Sequence, residues 1–256
     1  MKKTALWMLY DNRSSKEFSV FQVHFDDNIM QNETLIPSRT INKVQRHGSS
    51  IIDFHSIDTE PLKFSINLAF DGEITENDKV EIVRWLNKNS YKPLIFATMP
   101  EHIYYAVATS IDLTHNTLQK GYFTVNFECN APWAFTKVLT SGKKNISTSE
   151  TVSLESESVF NTELVKVEVT VLDDGDLLIH NETNETELRF ADLINGTKII
   201  IDCLHHSIEA ADSEEQLVLI NDNKENYSWL QLAAGRNKIS IAGNCEIEIF
   251  WQGIKV

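Results

Sequence analysis

Apolar and polar residues alternate along much of the chain, which predicts a mainly β protein. Every second residue from Leu62 to Phe70 is apolar and the residues between them are mostly polar, as in a strand that buries one face. The sequence Asp71-Gly72 indicates a turn after it. Residues 18–25 are apolar on both faces, which predicts a strand covered on both sides. Runs rich in aromatic and β-branched residues predict further strands at residues 94–98, 103–112 and 122–129.

One segment of the first half has a helical period instead. Thr75 and Asp78 have the spacing of a helix capping box. Ile82, Trp85 and Leu86 follow at the i, i+3, i+4 spacing that places side chains on one face of a helix. The first half is therefore expected to be a β-sandwich-like domain with one packed α-helix.

The composition changes near Val138. Nine of the nineteen residues at 140–158 are Ser or Thr, which suits an exposed linker that leads into an outer strand. We expect an N-terminal domain at residues 1–138 and a C-terminal domain at residues 139–256. Short alternating runs beyond the linker are separated by turn signals such as Asp173-Asp174-Gly175, a pattern that predicts an antiparallel β-sandwich.

Charge is distributed unevenly between the two halves. Residues 1–138 carry 14 Lys and Arg against 16 Asp and Glu, whereas residues 139–256 carry 9 against 21. An acidic domain repels nucleic acid, because a duplex binder needs Lys and Arg to replace the counterions of the phosphates. No apolar run approaches the roughly 20 residues that a bilayer crossing needs, so we expect no membrane insertion.

The sequence offers little that indicates catalysis. Cys129, Cys203 and Cys245 lie far apart, and the eight histidines lack the spacing of metal ligands. No nucleophile elbow, Walker loop or dinucleotide-binding glycine motif is present. The acidic residues around Gly175 fit a hairpin turn better than a calcium loop. We therefore expect no catalytic residue, no metal site and no cofactor, and interpret the protein as a non-enzyme.

Several blocks taken in order carry a family resemblance. The aromatic strand from Gly121 to Cys129 leads into a corner at Pro132-Trp133, and upstream of it lie Arg84-Trp85-Leu86 and Tyr104-Tyr105-Ala106. In the second half, residues 232–241 follow the pattern L-x-x-G-x-N-x-I. In this combination the chain resembles the distal tail proteins (Dit) of long-tailed, siphovirus-type bacteriophages and prophages.

That resemblance implies a structural role at the tip of a virion tail. Members of the family form a ring, usually a homo-hexamer, whose N-terminal domains build the ring and whose C-terminal domains are galectin-like β-sandwiches (jelly rolls) that project outward. One face of the ring meets the tail tube protein and the other meets a tail-associated tip or baseplate protein. DNA passes through the central channel without specific binding, and assembly takes place in the host cytoplasm.

The resemblance directs attention to two groups of residues. The first is a candidate hairpin from Leu35 to Ile57 that reaches a neighbouring subunit, although an ordinary surface hairpin is the alternative; its candidate interface residues are Leu35, Pro37, Gly48, Ile52, Phe54 and Ile57. The second is a corner between the domains, for which the candidates are Tyr122, Phe127, Pro132, Trp133 and Phe135.

A second function remains open at this point. The C-terminal sandwich could be a carbohydrate-binding module that recognises a cell-wall sugar of the host, because an aromatic ring such as that of Trp229 stacks well on a sugar. Packing of Trp229 in the core is the alternative interpretation of this residue.

Overall fold

A computed structural model describes residues 6–23, 38–47, 50–116, 120–210, 218–219 and 229–255. The chain divides into two compact units, Met1–Phe135 and Thr136–Lys255. Strands dominate both units, which confirms the mainly β prediction. Within the described ranges, α1 (Glu76–Leu86) is the one α-helix, and no helix there is long and apolar enough to cross a membrane.

The N-terminal unit is built on one curled antiparallel sheet. Its strands are β1 (Met8–Tyr10), β2 (Arg13–Ser14), β3 (Val20–Val23), β4 (Arg39–Gln45), β5 (Ile52–Thr59), β6 (Lys63–Phe70), β7 (Lys92–Phe96), β8 (Met99–His115), β9 (Gly121–Cys129) and β10 (Ala134–Phe135). The sheet runs in the order β2-β1-β7-β8-β9-β6-β3, while β4 and β5 form a separate hairpin. The amide of Gln22 in β3 donates to the carbonyl of Leu6 at 2.8 Å, so the sheet curls back towards its own first strand.

Helix α1 closes this curled sheet. Thr75 caps it, and the reciprocal bonds between Thr75 and Asp78 confirm the predicted capping box. The buried residues of the helix are Ile82, Trp85 and Leu86, as the periodicity predicted. Beneath them, Phe123, Val125 and Phe127 alternate inward along β9, together with the other core residues of this unit.

Trp85 lies at the centre of this core. Its indole Nε1 donates to the carbonyl of Tyr10 at 3.0 Å, and its ring stacks on Phe18 with centroids 4.4 Å apart. The Tyr10 hydroxyl donates in turn to the carbonyl of Ala106 at 3.2 Å. A buried indole N–H without an acceptor costs free energy, and the carbonyl of Tyr10 supplies that acceptor.

The strand expected at residues 18–25 is partly wrong. Phe18 ends a short 3-10 helix (Ser15–Phe18), and the strand begins only at Val20. Ser14 and Glu17 form a capping box that holds this turn. Residues 24 and 25 lie outside the described residues.

The C-terminal unit is the predicted antiparallel β-sandwich. Its strands are β11 (Leu139–Thr140), β12 (Lys144–Ile146), β13 (Ser149–Ser156), β14 (Thr162–Glu163), β15 (Lys166–Val171), β16 (Gly175–Asn181), β17 (Thr186–Leu193), β18 (Lys198–Asp202), β19 (Ser207–Ala210), β20 (Val218–Leu219), β21 (Gln231–Leu232), β22 (Gly235–Ala242), β23 (Cys245–Trp251) and β24 (Ile254–Lys255). One sheet has the order β11-β23-β15-β18-β19 and the other β13-β22-β16-β17-β20. Alternate residues of both sheets share one apolar core, as in β15 and β22.

Replacing Trp85 with Ala should destabilise the N-terminal unit strongly. The substitution removes a fully buried ring and leaves a cavity between α1 and the sheet, which typically costs about 3–5 kcal/mol in the free energy of unfolding. Denaturant titration followed by circular dichroism measures the loss. The matched control is Arg84→Ala on the same helix, where only an exposed ion pair with Glu81 is lost, and we expect a change within about 0.5 kcal/mol. Equal effects of the two substitutions would contradict the assignment of Trp85 to the core.

The three cysteines should be inert towards thiol reagents in the folded protein. Burial raises the pKa of the Cys129 and Cys203 thiols to about 12 and that of Cys245 to about 11. Because the thiolate is the reactive form, a chromogenic disulfide reagent at pH 8 should label the native chain slowly and all three thiols rapidly after denaturation. Rapid labelling of the native chain would show that a thiol is accessible.

Candidate interaction surface

The β4–β5 hairpin has one apolar face, and a bulge creates it. Its register pairs Ile41 with Ile57 and Lys43 with Phe54, with a shift after Asn42. His55 is the extra residue at this shift. Strict alternation along β5 would place Phe54 and Ile57 on opposite faces, but the bulge brings both to the face that carries Ile41.

This face is open in the single chain. Its apolar side chains are 43–64% exposed, and they belong to Ile41, Ile52, Phe54 and Ile57. The same register places two cations beside them, Arg39 and Lys43. The surface, which we call the hairpin face, is therefore apolar at its centre and positively charged along β4. Contiguous exposed apolar side chains of this kind mark interaction sites.

The opposite side of the hairpin is mainly polar, and its side chains form hydrogen bonds and an ion pair with one another. The Asn42 Nδ2 donates to Ser56 Oγ at 3.0 Å and to Asp58 Oδ2 at 2.7 Å. Near the tip, Arg46 Nε lies 3.0 Å from Asp53 Oδ2 in an exposed ion pair. Val44 is an exposed apolar residue on this side. The two sides thus differ in chemistry, since cross-strand polar bonds lie on one and most of the exposed apolar residues on the other.

The structure places the candidate interface residues in two groups. Ile52, Phe54 and Ile57 lie on the hairpin face, whereas Leu35, Pro37 and Gly48 lie outside the described residues. Sequence reasoning missed Ile41, which completes the face. The alternation of Thr40-Ile41-Asn42 was the signal that could have identified it, once the register with β5 was known.

The candidate corner residues are packed to different degrees. Phe127 is fully buried in the core of the N-terminal unit, while Tyr122, Pro132, Trp133 and Phe135 are half-buried. The Phe135 ring contacts the ring of Tyr105 at a centroid distance of 5.7 Å. A role for Pro132 and Trp133 as the corner between domains stays a prediction.

Trp229 is half-buried against the core of the C-terminal unit. The His206 ring stacks on it in parallel at a centroid distance of 4.7 Å, and His206 Nε2 lies 2.9 Å from Glu163 Oε1. One face of the indole is therefore covered by a side chain of the same unit. Such a ring offers a sugar at most its other face.

The acidic residues around Gly175 bond to backbone amides of nearby turns. Asp174 Oδ1 accepts from the amide of Asn195 at 2.7 Å, and Asp173 Oδ1 accepts from the amide of Asp174 at 3.0 Å. Among the residues that the structure describes, no three His, Cys, Asp or Glu side chains are grouped so as to hold a metal ion.

The asparagine of the L-x-x-G-x-N-x-I pattern is Asn237, which is fully buried and fully bonded. Its Nδ2 donates to the carbonyls of Ala233 and Gly235, and its Oδ1 accepts from the amide of Ala233 at 2.8 Å and from Asn181 Nδ2 at 3.0 Å. Gly235 has a φ of +83°, which favours glycine at this turn. Asn181 also donates to the carbonyl of Gln231 at 2.6 Å. Asn237 thus holds the turn that precedes β22.

Replacing Asn237 with Asp should destabilise the C-terminal unit by about 2–4 kcal/mol. The new side chain keeps the shape but loses two donors and introduces a buried carboxylate beside two carbonyl oxygens. Denaturant titration measures the loss of stability. The same substitution at the exposed Asn161 is the control, with an expected change within about 0.5 kcal/mol. A variant at 237 as stable as the control would contradict this role.

Comparison with known proteins extends over nearly the whole chain. Residues 5–131 match the family described as a phage tail protein N-terminal domain, and residues 133–251 match a phage tail C-terminal domain. The SPbeta prophage-derived uncharacterized protein YomH of Bacillus subtilis (strain 168) is 25% identical over 258 residues, 97% of each chain.

Comparison with solved structures confirms the expected resemblance to distal tail (Dit) proteins. The Dit protein (gp 19.1) of phage SPP1, described as a paradigm of the hub adsorption apparatus in phages that infect Gram-positive bacteria, has a TM-score of 0.67 at 13% identity, over 97% of this chain and 99% of its own. A chain of the phage P2 baseplate has a TM-score of 0.50 at 11% identity, over 97% and 98%. The chain belongs to the phage tail proteins that the two domain families describe, and its fold is that of a distal tail (Dit) protein.

Proposed function

We propose that this structural tail protein is the ring-forming hub at the tip of a virion tail. In this proposal the N-terminal units close head to tail into a ring, with six copies as in the family, around a channel for DNA. One side of the ring meets the tail tube protein, and the other meets the tail-associated tip or baseplate protein. The protein acts by assembly rather than by catalysis, and the ring forms in the host cytoplasm.

The observation that carries this proposal is the hairpin face. Burying one Ile or Phe side chain is worth about 1.5–3 kcal/mol, and four of them lie exposed together on this face. A two-stranded hairpin is marginally stable by itself, so it gains from packing on another surface. In a ring of identical subunits, each copy supplies that surface to the next.

The charge of the N-terminal half is consistent with a channel for DNA. Its net charge is close to zero, with 14 Lys and Arg against 16 Asp and Glu in residues 1–138. A wall without clustered cations does not hold the phosphates through release of counterions. DNA would therefore slide past the ring instead of binding to it.

The carbohydrate-binding alternative depends on Trp229. His206 covers one face of that ring, which reduces the surface available for stacking on a sugar. We therefore place this function second. Binding of a cell-wall glycan on an array, lost in Trp229→Ala and retained when the hairpin is altered, would favour it.

Replacing Phe54 with Ser should weaken the ring without unfolding the chain. The side chain is exposed in the single chain, so the substitution removes burial only in the assembly and should raise the dissociation constant of each subunit contact by about tenfold to a hundredfold. Mass photometry over a range of concentrations measures the oligomer, and circular dichroism checks the fold.

Val44→Ser is the matched control for Phe54→Ser. Val44 is exposed on the same hairpin but on its polar side, so we expect the ring to persist. A chain that stays monomeric at every concentration, alone and with its tube partner, would overturn the proposed ring. If Phe54→Ser and Val44→Ser weaken the ring equally, the hairpin face is not the contact between its subunits.

A further inference from the structure

We propose that the hairpin face of one copy docks on the outward face of helix α1 of the next copy. This inference rests on the proposed ring. A head-to-tail ring joins two different surfaces that complement each other, so the hairpin face needs a second surface elsewhere on the same chain.

The outward face of α1 has the apolar side chains for this contact. Val80 and Val83 are 46% and 44% exposed, and residues three apart are neighbours on a helix surface. They lie away from Ile82, Trp85 and Leu86, which the helix buries in its own unit. We call Val80, Val83 and the charged residues around them the helix face.

The choice of valine at these two positions is not explained by the helix itself. An exposed β-branched residue favours a helix less than Ala, Lys, Glu or Arg does, because its χ1 freedom is reduced against the preceding turn. Two such residues side by side cost helix stability and gain nothing from water. Burial against a neighbouring copy compensates for that cost.

Helix α1 has a small excess of acidic residues. It carries three carboxylates (Glu76, Asp78 and Glu81) against two cations, Lys79 and Arg84, which pair with Glu76 and Glu81. The Glu76 side chain is 88% exposed even though it pairs with Lys79 at 2.6 Å. Arg39 and Lys43 flank the apolar centre of the hairpin face. Complementary potentials of this kind set the register of an interface and disfavour wrong partners.

The dimensions of the two elements are compatible. The eight residues of β5 span roughly 26 Å, and the eleven residues of α1 span roughly 16 Å. One hairpin is therefore long enough to cover the helix face from its acidic first turn to its last. The apolar centres then meet, with Arg39 and Lys43 close to the acidic residues of the helix.

A chain with Phe54→Cys and Val83→Cys tests this contact. Both positions are exposed, and the three native thiols are buried with raised pKa values, so a short bismaleimide should react mainly at the new pair. If the hairpin face meets the helix face of the next copy, cross-linking yields a ladder of covalent oligomers that ends at the closed ring. Each single-cysteine variant should give no ladder.

The control pair is Phe54→Cys with Leu204→Cys, because Leu204 is equally accessible but lies on the C-terminal unit. It should give no ladder. If mass photometry shows oligomers of this chain but cross-linking of the 54–83 pair gives no ladder, the proposed docking is wrong and the proposed ring is retained. An unsubstituted chain that forms no oligomer at all would overturn both proposals, because the two cysteines themselves remove apolar area from the contact. A ladder from the control pair as strong as that from the 54–83 pair would also overturn the docking.

The sign of the charge at position 83 provides a second readout. Val83→Lys brings a cation towards Arg39 and Lys43, whereas Val83→Glu brings a carboxylate, and both residues suit an exposed helix position. We expect the dissociation constant of the Lys variant to be about tenfold higher than that of the Glu variant. The difference should be smaller at 1 M salt. Equal affinities, or weaker association of the Glu variant, would overturn the docking.

Discussion

The packing of Trp85 between α1 and the curled sheet is the contact on which the N-terminal unit depends. The indole joins the helix to β1 through Tyr10 and to the short 3-10 helix through the ring of Phe18. It also fixes the rotation of α1 about its own axis. With Ile82, Trp85 and Leu86 turned inward, the 3.6-residue period leaves Val80 and Val83 facing outward. The core of this unit therefore determines which side of the helix is available to a partner.

Local patterns in the sequence predicted the local elements of this fold well. The capping box at Thr75 and the buried triad of α1 depend on residues three or four apart, and β6 shows its alternation directly. The strand expected from Phe18 was wrong there because an aromatic residue fits a covered turn as well as a strand, and the bond between Ser14 and Glu17 decided in favour of the turn. The return of β3 to Leu6 joins residues whose spacing carries no periodic signal.

The hairpin face shows the same division between local and long-range information. The residues Ile52, Phe54 and Ile57 could be selected from sequence as apolar positions of an extended hairpin. Their common orientation could not be predicted from sequence. Positions 54 and 57 are three residues apart, so regular alternation would place them on opposite faces, and only the bulge at His55 places them on one face. Ile41 was missed for a related reason, since its part in the face follows from pairing with Ile57 across the hairpin.

The hairpin also connects the stability of a segment with the assembly of the protein. Within the described residues, β4 and β5 pair with each other and with no strand of the main sheet. Their exposed apolar side chains thus contribute little to the monomer, and a hairpin of this size gains most of its stability from packing on something else. In the proposed ring that packing comes from the next copy, so formation of the ring also stabilises the hairpin. A surface that is costly to leave in water then favours the closed ring over open chains, because closure alone leaves no hairpin face exposed.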